Sequence, residues 1–136
     1  MVRMADATSV LALQTSTRTL RATTVTAKKH RKHRRRRTPQ QIAWHIMHWF
    51  KWKRDRQFRY LKYLWNRESS WNVHATNPYS GAYGIPQAVP GAKMGSCGRD
   101  WRWNPWTQIR WGMRYIKHTY GSPRRAWRHE VVDGWY

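Results

Sequence analysis

Acid is what this chain is short of. Asp and Glu together make up 6 of its 136 residues, against 27 Lys and Arg, for a formal charge of +21. A field of that sign draws polyanions, whether nucleic acid, anionic lipid or an anionic cell wall, and does not choose among them. Cysteine is scarcer still. The single Cys97 excludes an intrachain disulfide and a cysteine-built zinc site, and reads as a small buried or half-exposed thiol. Long apolar runs are missing as well, so no membrane-spanning segment is spelled out. The longest early run, Val10 to Leu13, falls short of the about 7–15 apolar residues in the core of a secretory signal.

Tryptophan is what the chain has in excess, 11 residues of it. Such rings supply buried area and also stack on planar or sugar faces. Trp101, Trp103 and Trp106 lie too close together for one core, so part of this cluster is expected at the surface.

The length bounds the protein to one domain plus a tail, or one small domain. Residues 1–37 hold 11 of the 27 basic residues and one acid, Asp6, which leaves 16 basic and 5 acidic residues, a charge of +11, for 38–136. The block KKHRKHRRRR (28–37) repels itself, and what precedes it has no sustained periodicity. Residues 1–37 therefore read as a disordered basic leader and 38–136 as the folded domain.

The domain reads as mainly α, with at most a small hairpin near 77–86. Thr38-Pro39-Gln40-Gln41 spells a capping box with Pro at the first helical position. Ile42, Ile46, Trp49 and Phe50 then repeat on one face. His45 and His48 have a spacing that suits a metal but no third ligand nearby, so no metal is expected. Asp55 is the expected cap of a second helix with the stripe Phe58, Leu61, Leu64, Trp65. A loop with turn chemistry at Asn77-Pro78-Tyr79-Ser80 follows. Asn104-Pro105 opens a further helix carrying Ile109, Met113 and Ile116, and a short last helix runs to His129.

One of the six acids is out of place. Glu68 follows Trp65 by three residues, Leu64 by four and Leu61 by seven, which puts it inside the apolar stripe. Apolar neighbours and the negative end of its helix both disfavour its charge, so its pKa is expected to rise. The residues alone leave two readings: a general acid able to protonate a glycosidic oxygen, or a structural acid paired with an Arg on a neighbouring helix.

From Phe58 onward the chain resembles the SLT-like lytic transglycosylase domains of high-GC Gram-positive bacteria, in the lysozyme-like superfamily. The resemblance is carried by LWNRESSWN (64–72), SGAYGIPQA (80–88), PGAKM (90–94), DWRWNPWTQIRWGMRYI (100–116), YGSP (120–123) and the terminal GWY. It implies a lysozyme-like fold with Glu68 as the catalytic acid at the end of a central helix. It implies Ser69 as a polar support beside it, and Tyr83, Gln87 and Tyr115 at the glycan cleft. The implied substrate is peptidoglycan, cleaved between N-acetylmuramic acid and N-acetylglucosamine to leave a 1,6-anhydro end, with no metal or cofactor. A monomer, secreted or wall-associated, is implied, its basic leader on anionic wall polymers. Where relatives often carry A-Y-N-x-G, this chain reads RRAWRHE (124–130), with Trp127 in place of the Tyr.

Two alternatives stand beside it. One is a muramidase-type hydrolase with Asp100 as second carboxylate. Asp55 lies roughly 20 Å along the helix from Glu68, too far to serve, and no strong pattern fixes Glu130 or Asp133. The expected role of Asp100 itself is to cap or to bond loop backbone beside Trp101. The other alternative is a non-catalytic cationic wall- or nucleic-acid-binding protein. It leaves Glu68 and the loop after it unexplained, and no specific nucleic acid is expected.

Overall fold

The computed structural model describes residues 36–136, so almost all of the expected leader, 1–37, lies outside the described residues. Among the described residues are four α-helices, here α1 (Pro39–Ile46), α2 (Arg54–Ser69), α3 (Pro105–Thr119) and α4 (Pro123–Asp133), with 3₁₀ segments at Met47–Phe50 and Gly91–Cys97. No strand forms among them. Tyr83 makes isolated antiparallel bridges to Thr76 and Ala88, all that stands where a hairpin was allowed for.

Each helix starts as its sequence dictates, with one exception. Thr38 Oγ1 accepts from Gln41 N–H at 3.3 Å, and Gln41 Oε1 accepts from Thr38 N–H at 2.9 Å. Asn104 caps α3 through Trp106 N–H at 2.9 Å, and Ser122 caps α4 through Arg125 N–H. The exception is α2. Its N-cap is Lys53, which makes no side-chain cap bond, and Asp55 lies inside the first turn. There its charge still complements the helix dipole.

The face read along α1 is also corrected. Ile42 and Ile46 are buried, but after Ile46 the chain tightens to a 3₁₀ turn. At three residues per turn the register rotates, so Met47 goes into the core and Trp49 stays 58% exposed. The last helix runs past His129 to Asp133 and stops at Gly134, in the left-handed region at φ 78°.

The core gathers Leu61, Leu64 and Trp65 of α2, Ile109, Met113 and Ile116 of α3, and Ala126 of α4. α2 packs on α4, and α1 on α3. Gly112 permits the closest approach. A Cβ there would sit 2.7 Å from Trp65 Cζ2 and 2.9 Å from Pro86 Cβ, so α3, α2 and the loop meet where only hydrogen fits.

Candidate active site

The loop between α2 and α3 is fastened by one buried amide. Gln108 is fully buried. Its Oε1 accepts from Ile85 N–H at 2.9 Å, and its Nε2 donates to Val73 O at 3.0 Å and Trp101 O at 2.8 Å. A buried amide with three bonds fixes three points of a loop that has no sheet to hold it. The sequence reading missed Gln108, although its position one residue before Ile109 on an apolar helix was a signal.

Glu68 is half-buried in the last turn of α2. The turn after it is forced: Ser70 and Trp71, neither a glycine, have φ of 50° and 63°. Two successive left-handed residues cost energy that packing must offset, and Trp71 is 4% exposed against the core. Ser69 Oγ donates to Ile85 O at 2.8 Å, tying the helix end to the loop.

The pKa of Glu68 is raised from 4.5 to about 7, with burial the largest cause. The neighbouring Glu130 contributes to the rise by its charge and by a hydrogen bond, against the opposing pull of Arg67. The expected rise is found, but one of its causes was not foreseen. Glu130 is 3% exposed on the inner face of α4 and pairs with Arg67 Nε at 2.9 Å. A signal for it existed: Pro123, Ala126 and Glu130 are the buried residues of α4, at i, i+3 and i+7.

Tyr115 stacks on Trp111, with centroids 5.4 Å apart and planes 7° from parallel. With Gln87, Pro86, Lys93 and Tyr136 these rings line a groove of about 180 Å³. Gln87 adopts φ 51°, and its Nε2 donates to Gly84 O at 2.9 Å and Ala75 O at 3.2 Å. The terminal Tyr136 connects groove and acid. Its hydroxyl donates to Pro86 O and accepts from Trp65 Nε1–H, both at 2.8 Å. Burial first, then the charge of Glu68, hold that phenol well above its ordinary pKa. Tyr83 is placed differently from the groove residues. Its hydroxyl donates to Arg102 O at 2.7 Å and its ring meets the Trp101 edge, so it braces the loop.

Asp100 was expected to cap or to bond loop backbone, but its carboxylate is held by two side chains instead. Its Oδ1 accepts from Thr107 Oγ1–H and its Oδ2 from Asn104 Nδ2–H, each at 2.6 Å, and these bonds lower its pKa. It lines a separate cavity with Trp49, Arg99, Trp106 and Arg110. Trp127, read as a replacement for the family Tyr, lies against Tyr63 at 5.6 Å between centroids. Trp103 is 64% exposed, and Trp101 and Trp106 are partly buried, so the three do not share one core. Cys97 is buried. His45 and His48 are both exposed, and no group of three or more His, Cys, Asp or Glu suited to an ion occurs among the described residues. No helix among them is long and apolar enough to cross a membrane.

Helices packed around a central one that ends in a high-pKa acid, beside an aromatic groove, define a lysozyme-like domain. The family model of the Transglycosylase SLT domain matches residues 47–132, which takes in α2, the loop, α3 and nearly all of α4, and the chain belongs to that family. At family level this means lytic transglycosylase activity on peptidoglycan. No curated protein and no solved structure matched the chain.

Proposed function

We propose that this protein is a peptidoglycan lytic transglycosylase in which Glu68 acts first as general acid and then as general base. The observation that carries the reading is the Glu68 carboxyl, half-buried at the end of α2 and with its pKa raised to about 7. An acid of that strength keeps its proton near neutrality and releases it to a bridging oxygen as the bond to the sugar breaks. The proton goes to the oxygen between N-acetylmuramic acid and N-acetylglucosamine. The ionised Glu68 then takes the proton of the muramic 6-hydroxyl, whose oxygen closes on C1. One C–O bond breaks, one forms, and the enzyme regains its proton. Gln87 and Tyr115 line the groove that would hold the glycan, while Ser69 and Tyr83 hold the loop beside it.

What lies around the acid supports an anhydro product. Retaining hydrolysis needs two carboxyls about 5–5.5 Å apart and inverting hydrolysis about 6.5–9.5 Å. Both oxygens of Asp100 are committed to Asn104 and Thr107. Glu130 is 3% exposed, with Oε1 paired to Arg67. The nucleophile then has to come from the substrate. Mass spectrometry of digested walls tests this: fragments ending in anhydromuramic acid are lighter by one water than hydrolysed ones. Mainly hydrolysed ends would overturn the transglycosylase reading and return attention to Asp100. A glycan-release assay run beside a wall pull-down separates the enzyme from a cationic binder that holds walls without cutting them.

The reading extends to the whole chain. Residues 38–136 form the catalytic domain of a monomer secreted or associated with the wall, of the high-GC Gram-positive type. Residues 1–37, with 11 basic residues, bind anionic wall polymers.

A further inference from the structure

Glu130 presents a buried problem. Its Oε1 is paired with Arg67, but its Oε2 is buried with no hydrogen-bond partner among the described residues. A carboxylate oxygen left in that state is costly, and native structures seldom leave one so. The group within hydrogen-bonding reach is the Glu68 carboxyl. Two ionised carboxylates there would repel, and neither would have a hydrogen to offer.

We propose that Glu130, anchored by Arg67, is a positioning residue that shares a single proton with Glu68: the Glu68 hydroxyl donates to the orphaned Glu130 Oε2. The proposal rests on Glu68 being the general acid and adds what holds its proton. With one proton the three side chains Glu68, Glu130 and Arg67 are neutral together. Donation to the glycosidic oxygen leaves two carboxylates facing one guanidinium. That repulsion raises the basicity of Glu68 at the step where it must take the proton of the muramic 6-hydroxyl. The pair thus serves both halves of the reaction, and its own proton count is unchanged over the cycle.

Among the described residues, the other groups close to the pair are paired or uncharged. On α4, His129 and Asp133 pair with each other at 3.4 Å. Tyr115 of α3 contributes only a phenol. Tyr120 and Tyr136 are held neutral, since burial pushes both hydroxyls above their ordinary range. On α2, Arg67 is the cation, paired to Glu130.

The chain has two glutamates, Glu68 and Glu130, so selective ¹³C labelling of the glutamate carboxyls gives two signals, assigned with Glu68→Gln. In the full-length protein the Glu68 signal should titrate and the Glu130 signal should respond to that same event. A Glu130 signal that stays flat while Glu68 titrates overturns the shared proton. The second arm is kinetic, on cell walls. Glu130→Gln removes the neighbouring charge and should shift the basic limb of the activity–pH profile down by about one unit. Arg67→Gln removes the opposing cation from an exposed position and should shift it up. A merely structural role for Glu130 predicts no such opposed shifts, and a limb unmoved in a folded Glu130→Gln protein refutes the proposal. The titration uses no substrate, so failure of Glu68 as the acid and failure of the shared proton are read separately.

Discussion

Replacing Glu68 by Gln removes the proton and keeps the shape, and the structure predicts opposite effects on activity and stability. Activity should fall about 10²–10⁴-fold, the usual cost of losing a general acid. Stability should rise, but only above a certain pH. The unfolded side chain ionises near 4.5 and the folded one near 7, so between these values the folded state binds more protons. Stability therefore declines as pH rises through that window and stays lowered above it. At about 1.36 kcal/mol per pH unit, the difference is about 3 kcal/mol at face value. Glu68 is only half-buried, and solvent screening cuts that to roughly 1.5 kcal/mol. Glutamine carries no such penalty, and its amide still reaches Glu130. For a domain of this size 1 kcal/mol moves Tm by about 4–8 °C, so the variant should melt roughly 6–12 °C above the parent at pH 8 and level with it at pH 4. Thermal unfolding followed by circular dichroism at the two pH values measures this, beside a glycan-release assay. Wild-type turnover by the variant, or a melting difference that does not depend on pH, would refute the reasoning.

Two further outcomes are expected. Gln108→Ala leaves Ile85 N–H, Val73 O and Trp101 O without their partner, and should cost about 2–4 kcal/mol, read as a lower midpoint in urea with the α-helical signal retained. Deleting residues 1–37 should leave Tm nearly unchanged, since within the described residues the domain loses only the placement of Arg37 over the Trp106 ring at 5.9 Å. The deletion should also weaken wall binding and make it less sensitive to salt, and a large fall in Tm would show that the segment supports the domain.

Much of the architecture was legible because its signals are local. The box at Thr38 and Gln41, the cap at Asn104 and the stripe Leu61, Leu64, Trp65 lie within one or two helical turns, where spacing alone fixes which groups meet. The same spacing put Glu68 on the apolar side of α2. Readings failed where a local rule had competitors. Asp55 has the chemistry of a cap, yet the chain enters α2 two residues earlier, at Lys53. Trp49 fits a 3.6-residue period, but the helix had already tightened to three.

The sequence by itself determined that this protein has an acid where an acid is costly, at the end of an amphipathic helix and followed by a glycine-punctuated loop. Helical period and turn chemistry are short-range, and the chain states them outright. Only the tertiary structure decided what surrounds that acid. Glu130 comes from a helix 62 residues further on, and packing of α4 against α2 sets its carboxyl beside Glu68 and Arg67. The same packing buries Glu130 and partly desolvates Glu68. Desolvation and the repulsion of close charges depend on distance through space, and a sequence contains that distance only once it has folded.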